Sequence, residues 1–317
     1  MQINNNVSAF NVWKNYTSNT EGLRSSMSKL SSGVKIQNAG DDPSGLAMSE
    51  RLRTQSRNSS AAVGNVENKV NYLQTADSWL QKIQDMMGRM GELAVMANDG
   101  TKAQSDRDVL QKEFSQMQEE VQRITSGATA AGKFNGLYLF RGGDGVAVMS
   151  GDTVGTGSVT QQVGADVGMT FTSEEINLTA TNTAVVGSYA TYSYADNMSL
   201  AGSTVTSVTW ASLITTDNLS ISVQSAAEAA VGKMTVGIDY ISEKRAVLGA
   251  EMKRMDYTLS GLENYDENIT ATESRIRDVD VAKETTNMSK YQILQQVGTA
   301  MLAQANQLPN GVLQLLG

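Results

Sequence analysis

The sequence predicts a mainly α-helical protein, in which both termini form a long antiparallel coiled-coil or helical-bundle rod with a small β-rich domain inserted between them. Three observations lead to this prediction. Apolar residues recur every three or four positions through both ends of the chain, as on one face of a helix. A zone rich in Thr, Ser, Gly and Val, about 141–225, separates them. The chain contains only two prolines, Pro43 and Pro309, so long helices can run without interruption.

The first half of the chain predicts three helices, over 4–31, 44–98 and 104–128. The stretch AGDDPSG starts the second helix, with Asp42 as N-cap and Pro43 in the first turn. The turn sequence ANDGTKAQSD separates the second helix from the third, so these two should lie antiparallel. Their apolar positions are Val63, Val66, Val70, Leu73, Ala76, Leu80, Ile83, Met87, Met90, Ala94, Ala97, Leu110, Phe114, Met117, Val121, Ile124 and Ala128.

The middle zone differs in both composition and charge. Stretches such as SYATYSY and STVTSVTW alternate or are β-branched, which predicts short strands. From Gly142 to Gly232 there is no Lys or Arg but eight acidic residues, so the formal net charge of −8 resides there. The flanks hold 25 residues of each sign, as expected of helices that pack through mixed pairs.

The second half of the chain predicts two further helices. Apolar heptad positions return over 226–276, and an amphipathic helix follows over 279–308. The two chain ends are therefore both helical and apolar on one face.

Composition excludes most catalytic and ligand-binding classes. The chain has no Cys and no His, which removes thiol nucleophiles, disulfides, imidazole acid–base chemistry and Cys or His metal sites. The acidic pI of about 4.8 gives no reason to expect nucleic-acid binding. No apolar run approaches the ~18 residues of a membrane helix, and the first residues lack the pattern of a secretory signal. We therefore expect no enzyme, no cofactor, no metal and no membrane partner.

The end of the chain is unusually apolar for a terminus. Its last ten positions include Leu308, Val312, Leu313, Leu315 and Leu316. Two short terminal helices cannot bury all their apolar side chains against each other, and a large exposed apolar patch indicates a partner. A second copy of the chain is the simplest such partner, whereas a plain helical bundle with a decorated loop remains the alternative.

Several long stretches resemble bacterial flagellin, the subunit of the flagellar filament. They are KLSSGVKIQNAGDDPSGLAMSERLR (29–53), MGELAVMANDG (90–100), KFNG (133–136) and SRIRDVDVAKETTNMSKYQILQQVGTAMLAQANQLPNGVLQLLG (274–317). The likeness covers about 1–140 and 226–317.

The resemblance implies a layered filament subunit. Residues 1–41 with 277–317 would form the coiled coil that lines the inner tube, 42–140 with 226–276 the outer helical shell, and 141–225 a surface-exposed variable region. The implied inter-subunit set is Phe10, Trp13, Leu23, Met27, Leu30, Asp41, Asp42, Gly45, Tyr291, Leu294, Val297, Met301, Leu302, Leu308, Val312, Leu315 and Leu316. Non-closing head-to-tail contacts would generate the helical homopolymer.

The resemblance also implies partners and a location. The chain would leave the cell through the flagellar type III apparatus and act in the extracellular filament. A flagellar export chaperone would bind the C-terminal helix, 279–317, and filament cap and hook-junction proteins would contact the filament ends. Arg89, Leu93 and Glu113 match residues of the face that the host Toll-like receptor for flagellin sees, although Gly88 and Gly91 depart from the usual bulkier residues.

Three other functions compete with a filament subunit. A zinc protease inserted in the middle zone would need H-E-x-x-H, which a chain without His lacks. A hook–filament junction protein would share the helical ends, but the ending QILQQVGTAMLAQANQLPNGVLQLL is closer to the filament subunit. An adhesin role of 141–225 is compatible with filament formation.

Overall fold

The computed structural model describes residues 6–126, 130–140, 159–174, 176–178, 185–194, 200–215 and 219–316. Its helices are α1 Val7–Ser32, α2 Pro43–Ala97, α3 Gln104–Thr125, α4 Trp210–Ile214, α5 Gln224–Arg277 and α6 Val281–Leu316. Its strands are β1 Lys133–Phe134, β2 Leu137–Tyr138, β3 Thr160–Gln162, β4 Thr170–Thr172, β5 Val185–Tyr194 and β6 Leu200–Thr209. The predicted fold class, long helices at both termini with a small strand-containing middle, is confirmed.

Most helix limits fall within three residues of the sequence prediction. The largest difference is in α6, which continues through Pro309 to Leu316 instead of ending at 308. Proline removes one backbone hydrogen bond and bends a helix without necessarily ending it. The side chains of 308–316 lie outside the described residues, and with them Leu308, Val312, Leu315 and Leu316 of the predicted inter-subunit set.

The chain divides into two compact units. Unit 1 comprises the chain up to Asn58 together with the chain from Asn264, and unit 2 comprises Ser59–Glu263. The long helices α2 and α5 run through both units. The predicted filament layers, with limits at 41/42 and 276/277, concern the assembled polymer and stay a prediction.

The core of unit 2 follows the apolar stripe of α2. Leu73, Leu80 and Ile83 are fully buried, as the three-and-four spacing predicts. Arg89 of α2 forms an ion pair with Glu113 of α3, and Arg107 of α3 donates to the Ala97 carbonyl of α2 nearer the turn, which confirms that these two helices are antiparallel neighbours. Other buried members of the same core are Met87, Met90, Ala94, Phe114, Val121, Ile124, Ile241 and Leu248.

Each described sheet is a two-stranded antiparallel hairpin: β1–β2, β3–β4 and β5–β6. The stretches SYATYSY and STVTSVTW lie largely in β5 and β6, so the prediction of strands there is confirmed. Trp210, the last residue of the second stretch, instead begins α4 because Thr209 caps that helix through its side chain. Hairpin β1–β2 precedes the predicted zone and turns on Asn135 and Gly136, both with positive φ.

Candidate assembly surface

Helices α1 and α6 pair through two tyrosine rings that each lie on a glycine of the other helix. A Cβ atom on Gly22 would lie 2.7 Å from the ring of Tyr291, and a Cβ on Gly298 would lie 3.1 Å from the ring of Tyr16. Near the end of the pair, Asn6 Nδ2 donates to the backbone oxygen of Ala305 at 2.8 Å. These contacts fix an antiparallel pairing with one axial register.

The pairing leaves one apolar side of α6 uncovered. Tyr291, Leu294, Gly298, Leu302 and Ala305 share the face that packs toward α1, and all are half-buried or buried. A second stripe, spaced four residues apart, is exposed instead: Ile293 (60 %), Val297 (52 %) and Met301 (51 %). The predicted residues of α6 therefore divide between two faces. Ile293 was not predicted, although its spacing from Val297 and Met301 marks it as part of the stripe.

Helix α1 shows the same division. Leu23 and Leu30 are half-buried, whereas Phe10, Trp13 and Met27 are more than half exposed. The rings of Phe10 and Trp13 lie 6.0 Å apart, one turn from each other along α1. We use the name uncovered apolar face for the exposed apolar side chains of the two helices taken together, which are Phe10, Trp13, Ile293, Val297 and Met301.

A short backbone ladder joins the end of α1 to the segment between α5 and α6. Lys35 N–H donates to the Arg277 carbonyl at 2.6 Å, and Val279 N–H donates to the Gly33 carbonyl at 3.0 Å. Gly33 ends α1 with φ of 74°, a left-handed conformation that favours glycine. Arg277 also forms an ion pair with Glu50 at 3.0 Å. The turn after α1 is therefore held by backbone hydrogen bonds to the segment between α5 and α6, and that segment is held in turn by an ion pair to α2.

The AGDDPSG stretch forms a helix cap. Asp42 Oδ1 accepts from the backbone N–H of Gly45 at 2.9 Å, which confirms it as the N-cap of α2. Asp41 Oδ2 accepts from the backbone N–H groups of Asn38 and Gln37 at 3.0 and 3.1 Å. These hydrogen bonds hold the pKa of Asp41 below its ordinary value. The described residues contain no group of acidic side chains able to hold a metal ion.

Of the three predicted receptor residues, the structure brings two together at the surface. Arg89 Nη2 and Glu113 Oε1 lie 3.0 Å apart, and both side chains are partly exposed. Leu93 is fully buried in the core of unit 2, so it does not share a face with them. It adjoins the buried stripe that contains Met90, Ala94 and Ala97, and the resemblance alone did not reveal this.

The described cation most affected by its surroundings is Lys69 of α2, which is fully buried. Its Nζ donates to Ser173 Oγ at 2.6 Å and lies 4.6 Å from the centroid of the Tyr72 ring. Burial lowers the pKa of Lys69 to about 8, against the opposing effect of Glu251. Burial likewise raises the pKa of Glu251, whose Oε1 accepts from the backbone N–H of Glu174 at 2.7 Å. This cluster ties α2, α5 and the segment after β4 together.

None of the described helices contains an apolar stretch long enough to cross a lipid bilayer. Comparison with known proteins identifies the family. Residues 3–144 match the bacterial flagellin N-terminal helical region, and residues 231–316 match the bacterial flagellin C-terminal helical region.

Full-length relatives agree with both matches. The flagellar filament 33 kDa core protein of Treponema phagedenis is 37% identical over 316 residues, covering 100% of each chain. A flagellin of Halalkalibacterium halodurans is 35% identical over 316 residues, again over 100% of each chain. The crystal structure of Bacillus cereus flagellin has a TM-score of 0.43 at 24% identity, covering 63% of this chain and 88% of that chain. The chain belongs to the bacterial flagellins, a family of structural proteins that build the extracellular flagellar filament.

Proposed function

We propose that copies of this chain pack against one another in the filament through the uncovered apolar face of the α1–α6 pair. The observation that carries this proposal is that both helices of the pair leave large apolar side chains exposed, a stripe on α6 and two aromatic rings on α1. Burying a fully exposed side chain of this kind contributes on the order of 1.5–3 kcal/mol. These five are 51–62 % exposed, so each contributes roughly half of that when it is covered, and a polymer that covers the face is favoured over the free chain.

The layer arrangement is part of the same proposal. Residues 1–41 with 277–317 form the inner tube, 42–140 with 226–276 the outer shell, and 141–225 the part that faces solvent. The balanced charges of the two ends support a helix-packed interior. The zone from Gly142 to Gly232, which lacks Lys and Arg, suits a surface on which acidic charge keeps neighbouring filaments apart.

The uncovered apolar face also bears on how the chain reaches the filament. We propose that a flagellar export chaperone covers the C-terminal helix, 279–317, until the chain leaves through the flagellar type III apparatus. Exposed apolar residues on α6 support this, since they would otherwise cause early self-association. Filament cap and hook-junction proteins are the proposed partners at the filament ends.

Replacing Val297 by Glu tests the assembly proposal, because a charge in the stripe has to be buried when copies pack. The matched control is Val185→Glu in β5, since Val185 is an equally large exposed side chain outside the face. We expect Val297→Glu to remain monomeric in sedimentation and electron microscopy, while Val185→Glu and the unsubstituted chain form filaments. Filaments of normal length from Val297→Glu would contradict the proposal.

We also propose a host Toll-like receptor as a partner for the α2–α3 surface. Of the three predicted receptor residues, only Arg89 and Glu113 lie at that surface. Their mutual ion pair presents both side chains at one place on the surface. We expect Arg89→Ala with Glu113→Ala to lower receptor activation in a reporter-cell assay. Arg123→Ala, which removes an exposed arginine paired with Glu120 elsewhere on α3, is the control that should leave activation unchanged.

A further inference from the structure

The methionines are the most readily oxidised side chains of this protein, because the chain contains no cysteine. It has 16 methionines, and the described ones differ widely in exposure. Met87, Met90 and Met234 lie in the core of unit 2 and are only 1–2 % exposed. An oxidant in solution reaches exposed thioethers first. The described methionines that are 41–54 % exposed are Met27, Met48, Met96, Met169 and Met301.

Met301 is the methionine that belongs to the uncovered apolar face. It continues the stripe of α6 that begins with Ile293 and Val297, at a spacing of four residues. Leu302 and Ala305, which share the face toward α1, are half-buried and buried, whereas Met301 is 51 % exposed. Its thioether is therefore open to solvent in the free chain. Packing of another copy on the stripe, as in the proposed function, would cover it.

A hydroperoxide is the class of oxidant that this thioether would take. The sulfur attacks one peroxide oxygen, the O–O bond breaks and an S–O bond forms. The sulfur loses two electrons, and hydrogen peroxide is reduced and leaves as water without a net transfer of protons. The product is a sulfoxide, which replaces an apolar thioether by a polar group. A methionine sulfoxide reductase reverses the step, since two thiols become a disulfide and the oxygen leaves as water.

A sulfoxide at this position opposes burial of the stripe. Its oxygen accepts hydrogen bonds from water in the free chain and loses them when another copy covers it. The side chains of Ile293 and Val297 are hydrocarbon and offer no donor in exchange. The same position that favours assembly as a thioether therefore disfavours assembly as a sulfoxide.

We propose that Met301 is an oxidation site that controls assembly. A hydroperoxide converts the free chain into a sulfoxide form that does not enter filaments, whereas the filament protects the thioether. This inference rests on the proposed function and adds a chemical control to the uncovered apolar face.

Protection by the filament is measured by treating free chain and assembled filaments with hydrogen peroxide and mapping the sulfoxides by peptide mass spectrometry. Met169 is the internal reference, because it is 52 % exposed and lies in the zone that the proposed layers place toward solvent. We expect Met301 and Met169 to be oxidised at similar rates in the free chain. In filaments the oxidation of Met301 should slow several-fold while that of Met169 does not. Equal rates for the two in filaments would overturn the proposal.

Sedimentation measures the effect on assembly. We expect the oxidised chain to need about a tenfold higher concentration to form filaments, and reductase treatment to restore the original value. Met301→Leu keeps an apolar side chain of similar volume, so it should assemble normally and continue to assemble after peroxide treatment. Met169→Leu is the matched control, which should lose assembly on oxidation as the unsubstituted chain does.

Two outcomes would overturn the oxidation site and leave the filament role standing. One is a Met301→Leu variant that loses assembly after peroxide as fully as the unsubstituted chain. The other is an equal fraction of Met301 sulfoxide in sedimented filaments and in the supernatant of a partly oxidised, unsubstituted chain, a comparison that needs no variant. Absence of filaments from the untreated chain would instead contradict the proposed function.

Discussion

Replacing the buried Lys69 by Met should change how the stability of the protein depends on pH. The pKa of Lys69 is about 8 in the folded chain, against 10.5 for an ordinary lysine. The unfolded chain therefore binds more protons between these values, and the free energy of unfolding rises with pH through that window. A lowering of about 2.5 pKa units corresponds to a penalty of about 3 kcal/mol at pH 7, of which about 2 kcal/mol is relieved by pH 9.5.

The Met variant lacks this titration, so its stability should stay nearly level where that of the wild type climbs. The informative quantity is the difference between the two proteins at each pH, because losing the Ser173 hydrogen bond and the contact with Tyr72 shifts the Met variant by a constant amount. Urea unfolding followed by circular dichroism at pH 7, 8, 9 and 9.5 measures it. We expect the advantage of Met over Lys to shrink by about 2 kcal/mol across the series.

Lys82→Met is the matched control. Lys82 is an exposed lysine on the same helix, with its Nζ 4.7 Å from the centroid of the Trp79 ring. Its removal deletes a cation over an aromatic ring without deleting a buried charge, so this variant should follow the wild type. Parallel pH profiles of the wild type and Lys69→Met would refute the reasoning, since a buried lysine that titrates normally carries no such penalty.

Two further substitutions test packing and hydrogen bonding. Gly22→Ala should lower the dissociation temperature of filaments and the free energy of unfolding by about 1–3 kcal/mol, because the added Cβ meets the Tyr291 ring. Gly64→Ala is the control in α2, where the space around the glycine is open, and it should leave the free energy of unfolding unchanged or raise it by up to about 1 kcal/mol. Trp210→Phe removes the Nε1–H donor that lies 2.5 Å from the buried carbonyl of Leu178 and should cost about 1–3 kcal/mol in urea unfolding. An unchanged midpoint for Trp210→Phe would mean that water or another donor satisfies that carbonyl.

The spacing of apolar residues along the sequence predicted which faces of the long helices are buried. The stripe through Leu73, Leu80 and Ile83 recurs at the helical repeat, so its burial follows from sequence spacing alone. Lys69 adjoins the same stripe but was not predicted to be buried. Its burial depends on Phe171 and Ser173, about a hundred residues away, and no local pattern reports such contacts.

The candidate site shows the same limit. Helix α6 is apolar on more than one side, so spacing marks Val297 and Leu294 alike as assembly residues. The contact of Tyr291 with Gly22 decides which stripe faces α1 and which stays uncovered. Leu93 was assigned to the surface by resemblance, whereas the packing of α2 with its neighbours buries it.

The two tyrosine–glycine contacts of the α1–α6 pair have a mechanical consequence. If α1 slid along α6 by one helical turn, about 5.4 Å, both rings would leave their glycines at the same moment. Tyr291 would meet Ser18 or Ser26, and Tyr16 would meet Leu294 or Leu302, all of which carry the Cβ atom that glycine lacks. The pair therefore resists sliding along its axis, because both contacts would have to break together. In a flagellar filament, these contacts would keep α1 and α6 of every subunit at a fixed axial offset.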